Sequence, residues 1–95
     1  MTVTVTLSTP IEAHGETLSA LTLREPSGKD IRTLGMPYRI STEDGSIIVD
    51  TGVVARYVSG LGGIPLSAVD KMPPGDWAGG MSAVLGFFGM APAAS

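Results

Sequence analysis

The side chains that could do chemistry in this sequence are few and poorly grouped. His14 is the only histidine. As a general base or a metal ligand it would need a carboxylate or further ligands at a workable spacing. It stands instead in "AHGE", where a His-Gly pair suits a tight turn that requires positive φ. Glu43 and Asp44 are adjacent carboxylates, but "TEDGS" has the composition of a turn, and acid–base work requires an enclosed site. The absence of cysteine removes thiolate nucleophiles, cysteine metal sites and disulfides together. No serine sits in a nucleophile-elbow pattern. "GLGGIP" shares only its glycines with a phosphate loop. It follows a helical segment and lacks the Lys-Ser/Thr ending, so it reads as a helix stop. Arg56 and Tyr57 could contact a partner, and a solvated arginine beside a core tyrosine explains them equally. The expectation is a protein that is not an enzyme, with no catalytic residue, no metal and no cofactor.

Composition narrows the remaining classes. A chain of 95 residues suits one domain with a modest core. The net charge is −3 and the six Lys+Arg are scattered singly, which disfavours nucleic acid and acidic membrane surfaces, since both need clustered positive charge. "MTVTVTLSTP" lacks the charged start and apolar run of a signal peptide. The longest apolar patch, Ala83–Ala91, is broken by glycine and too short to span a bilayer. These features predict a single soluble, cytoplasmic domain over residues 1–95.

The elements that would carry any surface can be read from periodicity. Residues 2–25 alternate like two strands, with Val3, Val5 and Leu7 on one face and Leu21 and Leu23 in the second run. A two-residue loop at His14-Gly15 sets Ile11 opposite Leu18, but an unbroken register would then oppose Leu7 to Thr22. One extra residue at Ser8–Pro10 restores the match and predicts Leu7 opposite Leu21 and Val5 opposite Leu23. Ser27 with Asp30 fits a capping box for a short helix over 27–35. Residues 37–49 are open to two readings. A hairpin with an Asp44-Gly45 turn opposes Ile40 to Val49 and Thr42 to Ile47, whereas a long helix must absorb Gly45 and a β-branched run. The hairpin is favoured. Asp50 caps a helix Thr51–Leu61 that turns Val54, Tyr57, Val58 and Leu61 inward. Pro65 and Pro74 open two further helices, giving a helical part over 51–90 and a tail over 91–95. The expected class is α+β: N-terminal antiparallel hairpins packed against a small C-terminal group of helices.

The last helix poses its own question. In "MPPGDWAGGMSAVLGFFGM" the residues Trp77, Met81, Val84, Leu85 and Phe88 form one stripe, while Phe87 and Met90 lie off it and Gly79, Gly80 and Gly86 weaken the helix. Small residues would let another helix approach closely, and Met81, Phe87 and Met90 would offer adaptable apolar contact to a partner. The alternative is that both faces are buried, within this domain or in a self-associated oligomer.

The runs "TLSTPIEAHGETLSALTLREPSGKDIRTLG" and "ARYVSGLGGIPLSAVDKMPPGDWAGGMSAVLGFFG" resemble the tail assembly chaperone family of Mu-like and related tailed phages. The matching residues are Pro10, Ile11, Gly15, Leu21, Leu23, Arg24, Glu25, Pro26 and Asp30, then Ala55, Arg56, Gly63, Ile64, Pro65, Val69, Asp70, Pro74 and Asp76. The insert "GMPYRISTEDGSI" and the glycine-rich last helix depart from the family pattern. The resemblance implies a non-catalytic protein that binds the tape measure protein and keeps it soluble until the tail tube polymerises around it. It further implies contacts with the tail tube protein and with a frameshifted longer form of the chain itself. The place of action would be the cytoplasm of the bacterial host, with the protein missing from the mature virion. A minor structural or connector protein of the tail, retained in the particle, is the alternative.

Overall fold

The structure is a computed structural model, and it describes residues 2–89. It is an α+β fold with two separate two-stranded sheets among the described residues. Strands β1 (Thr2–Ala13) and β2 (Glu16–Arg24) form the long N-terminal hairpin, followed by helix α1 (Gly28–Leu34). Strands β3 (Tyr38–Ile40) and β4 (Ile47–Val49) form a second, short hairpin. Helices α2 (Thr51–Gly62), α3 (Leu66–Val69) and α4 (Pro74–Phe87) follow.

One face of the long hairpin is covered, α2 lying against β2 and α4 against β1, with α2 also touching α3 and α4. The core joins Val5, Leu7, Ile11, Ala13, Leu21 and Leu23 of the hairpin to Val54, Tyr57, Val58 and Leu61 of α2 and Val84 of α4. Period-two alternation produces this arrangement: Thr2, Thr4, Thr6 and Thr22 all face solvent from the other side of the sheet.

The register of the long hairpin corrects the expectation. Ile11 does pair with Leu18, and the ladder is irregular between Thr6 and Ile11, but Val5 pairs with Leu21 and Val3 with Leu23. Leu7 therefore does not oppose Leu21. Four residues of β1 (7–10) face one of β2 (Ser19), so the strand carries three extra residues rather than one. Both numbers are odd, and either restores the apolar face. The parity of the side chains forces the irregularity but not its length.

Its length follows from α4. The backbone N–H of Ser8 donates to both carboxylate oxygens of Asp76, at 2.9 and 3.0 Å, and that of Thr9 donates to Oδ2 at 3.3 Å. The long bulge thus takes its hydrogen bonds from the first turn of α4, where the ladder with β2 has lapsed. Asp76 is the one buried charged residue among the described residues, 6% exposed.

The second hairpin exists, again with a shifted register. Tyr38 pairs with Val49 and Ile40 with Ile47, so Ile40 does not oppose Val49 and Thr42 does not oppose Ile47. The chain turns through a wider loop. Ser41 donates from its N–H to the Ser46 carbonyl, and the Gly45 N–H returns to the Ser41 carbonyl. Ser41 Oγ and Asp44 Oδ1 accept from the N–H groups of Glu43 and Ser46, the local side-chain bonds that favour such loops over a two-residue turn.

Helices α1 and α2 follow their sequence signals, whereas Pro65 stands at the N-cap of α3 and not as its first residue. Ser27 and Asp30 form a reciprocal capping box, Asp50 caps α2 through the Val53 N–H, and Gly63 ends α2 in the left-handed region at φ 68°. The inward residues of α2 are Val54, Tyr57, Val58 and Leu61, as its spacing requires.

Helix α4 sits rotated from the expected stripe. Asp76, Gly80 and Val84 are its buried residues, one every fourth position. Trp77, Met81, Phe87 and Phe88 are half-buried and pack on the core from either side, while half-buried Leu85 is not among the residues packed there. Phe87, which lies off the stripe read in the sequence, is therefore packed on the core and not left outside it. Two of the three glycines are used within the chain, as the alternative of burial in the domain has it: a β-carbon on Gly80 would touch Val58 Cγ2 at 3.4 Å, and one on Gly79 would touch Val5 Cγ1 at 3.4 Å. The small residues let α4 lie close on α2 and β1 of its own chain. Gly86 alone of the three faces open space.

Candidate functional site

The groups with chemical potential are placed apart and engaged structurally. His14 (φ 53°) and Gly15 (φ 76°) both adopt positive φ, which makes the loop between β1 and β2 a type I′ turn. The imidazole is exposed and its Nε2–H donates to the Gly63 carbonyl at 2.9 Å, tying the hairpin turn to the end of α2. A ring bonded in this way is a strap between two elements.

Three aspartates are held ionised by the turns and caps they serve. The Ser8 N–H is the chief cause of the lowered pKa of Asp76, partly opposed by desolvation, with Thr9 N–H adding to it. Arg24 lies bidentate on Asp30, at 2.8 and 3.2 Å, and together with the Ser27 N–H holds that carboxyl far below the usual range. The Ser46 hydroxyl and N–H lower Asp44. Such carboxylates are poor general acids near neutrality. Among the described residues no group of three His, Asp or Glu could hold a metal ion, and no helix is long and apolar enough to cross a membrane.

What remains is surface. Among the described residues, four large apolar side chains are markedly exposed: Met36 (44%), Ile40 (62%), Ile47 (54%) and Leu66 (45%). Ile40 and Ile47 are cross-strand neighbours in the second hairpin, where the sequence pairs Ile40 with Val49. Of the partner-binding candidates, Met81 and Phe87 are half-buried against the core, so only part of each side chain is available from outside. Met90 lies outside the described residues.

A further surface is hidden from the sequence because three separate segments build it. Helices α1, α2 and α3 enclose an open groove of about 400 Å³, with Leu34 and Leu66 as apolar lining, Thr33 and Gly60 beside them, and Lys29 and Arg56 adding positive charge. Its lining surface is mostly apolar. The sequence holds one signal for it, Gly60 inside the α2 pattern, since neither a turn nor a cap needs glycine there.

Comparison with curated proteins and with solved structures finds no match. The family described as phage tail assembly chaperone proteins, E, or 41 or 14, matches residues 4–89, which takes in every helix described above and all but the first residues of β1 among the strands. The match includes the second hairpin and the glycine-rich α4, the two segments that depart from the pattern read in the sequence. The chain belongs to this phage tail assembly chaperone family.

Proposed function

We propose that the chain is a non-catalytic chaperone that binds the tape measure protein and keeps it soluble until the tail tube polymerises around it. Membership of the tail assembly chaperone family over residues 4–89 carries this reading. The surface is compatible with it: Met36, Ile40, Ile47 and Leu66 offer apolar contact on a chain whose net charge of −3 opposes self-aggregation. The work is done in the host cytoplasm, and the protein leaves before the particle is finished. The tail tube protein and a longer, frameshifted form of the chain are further partners under this reading.

Co-expression with the tape measure protein of the same phage tests it. The chaperone should move that protein from the pellet to the soluble fraction and co-purify with it, and mass spectrometry of purified virions should find the chaperone missing. A tape measure protein equally soluble without the chain would refute the reading. Retention in finished particles at a fixed copy number would instead establish a structural or connector subunit.

A further inference from the structure

We infer that the groove between α1, α2 and α3 docks an acidic, amphipathic segment of a partner protein, its carboxylates meeting Lys29 and Arg56 and its apolar side chains lying on Leu34 and Leu66. This rests on the chaperone reading, which makes the tape measure protein the partner.

Charge is the first ground. The chain is acidic, yet two of its six basic side chains line this one groove. Lys29 and Arg56 have no ion pair or hydrogen bond among the described residues. The acidic residue at the groove, Asp30, is already taken by Arg24 and by the Ser27 cap. The local balance is therefore positive above an apolar floor, which favours a ligand with negative charge beside apolar groups.

Gly60 is the second. It lies inside α2 at ordinary helical φ, and a β-carbon there would meet nothing within 4 Å. Conformation does not require glycine at this position and packing within the chain does not exclude a side chain. Glycine is nonetheless among the poorest residues for a helix interior. Its presence is accounted for if something outside the chain approaches the α2 backbone at this point.

The shape selects the class of occupant. A small molecule is held by pockets that enclose most of its surface. This groove is open to solvent, and Leu66 within it is 45% exposed. A passing helix or extended segment that inserts a few side chains fits it better.

The test uses overlapping synthetic peptides tiled along the tape measure protein of the same phage, titrated against the intact chain with amide NMR shifts as the readout. Shifts should concentrate on residues around Lys29, Gly60 and Leu66, and the tiles bound should carry Asp or Glu beside apolar residues. Gly60→Leu starts from a β-carbon that meets nothing within 4 Å and projects its side chain into the groove. It should weaken binding roughly tenfold or more, while leaving the melting temperature equal to wild type or higher. The double variant K29E/R56E should weaken binding comparably, and added salt should weaken binding to the wild type.

Gly60→Leu binding the same tiles as tightly as wild type would overturn the groove while leaving the chaperone reading intact. The groove fails in the same way if bound tiles lack carboxylates, or if wild type solubilises the tape measure protein but no tile shifts the groove. Self-association of the wild type that Gly60→Leu abolishes would make a second copy the occupant, and the proposal would fall. If wild type neither solubilises the tape measure protein nor binds any tile, both readings fall together.

Discussion

Removing the hydroxyl of Tyr57 separates what its ring does from what its hydrogen bond does. The side chain is fully buried, and its ring meets Phe88 edge-on with centroids 5.6 Å apart and planes at 80°. Its Oη–H donates to the Gly35 carbonyl at 2.6 Å, fastening the end of α1 to α2, two walls of the groove. Tyr57→Phe keeps the ring and frees that carbonyl. A typical hydrogen bond contributes about 0.5–1.5 kcal/mol net, and an acceptor left unsatisfied in the interior costs about 1–3 kcal/mol. Gly35 is exposed, so its carbonyl regains water after a small shift, and the expected loss is about 1 kcal/mol. In a domain of this size that lowers Tm by about 4–8 °C. Tyr57→Ala removes the ring as well and should cost about 3–5 kcal/mol, a large share of the roughly 5–15 kcal/mol that holds a small protein folded.

Urea unfolding of the three proteins measures both steps, provided the m-values agree. A second readout uses alkali. Burial, and to a lesser degree the charge of Asp30, pushes the Tyr57 phenol above its ordinary value of 10.0. Above that pH the unfolded chain loses the proton while the folded chain keeps it, so the folded state binds more protons and stability falls as pH rises. Tyr57→Phe should flatten that slope. A loss for Tyr57→Phe equal to that for Tyr57→Ala would show that the ring contributes little, and a loss below about 1 kcal/mol for Tyr57→Ala would remove Tyr57 from the core altogether.

Four other substitutions test other joints of the fold. Asp76→Asn should lower the melting temperature at neutral pH. Because the folded carboxyl titrates below 3.8, the wild type should lose this advantage as pH falls through the folded value, and a gap that stays constant into acid would contradict the Ser8–Asp76 bonds. Gly86→Ala should stabilise by about 0.5 kcal/mol, since the new methyl meets nothing. Gly62→Ala should show no such gain by chemical denaturation, because its β-carbon would lie 3.1 Å from Cδ2 of buried Leu23. Phe87→Ser should lower stability by roughly 1–3 kcal/mol, a fraction of the cost at a fully buried ring. A serine variant as stable as wild type would return Phe87 to the surface.

The parts of the fold legible in the sequence are those set by near neighbours. The capping box at Ser27–Asp30, the Asp50 cap, the inward face of α2 and the positive-φ pair His14-Gly15 are settled within a few residues of chain. The same holds for the α+β class, because alternation gives way to helical spacing after Pro26. Registers are legible only modulo two. Parity decides which face of a strand is buried, whereas the step from one extra residue to three in β1 depends on Asp76, which is 68 residues from Ser8. The second hairpin shifts by two for a related reason, since the Ser41 and Asp44 side-chain bonds enlarge a loop that Asp-Gly alone suggests is tight. Of the groove only Gly60 leaves a trace in the sequence, because its walls come from segments that periodicity treats one at a time.

Helix α4 shows why an unusual composition is weak ground for a partner site. Glycine pairs and off-stripe aromatics suit close approach by another helix, but they do not say which helix. Here the approaching elements are α2 and β1 of the same chain: Val58 occupies the space over Gly80, Val5 that over Gly79, and Phe87 closes onto the core. The helix is weak by propensity and is held by tertiary contact and by the Asp76 bonds at its first turn. A surface free for a partner must instead be one that the chain's own packing leaves uncovered. The exposed Ile40–Ile47 pair and Gly60 above its groove meet that condition, and the buried face of α4 does not. Under the proposed function, affinity for a partner and stability of the fold should therefore separate: changes at Gly60 or Ile40 should act on capture, and changes at Gly80 or Phe87 on folding.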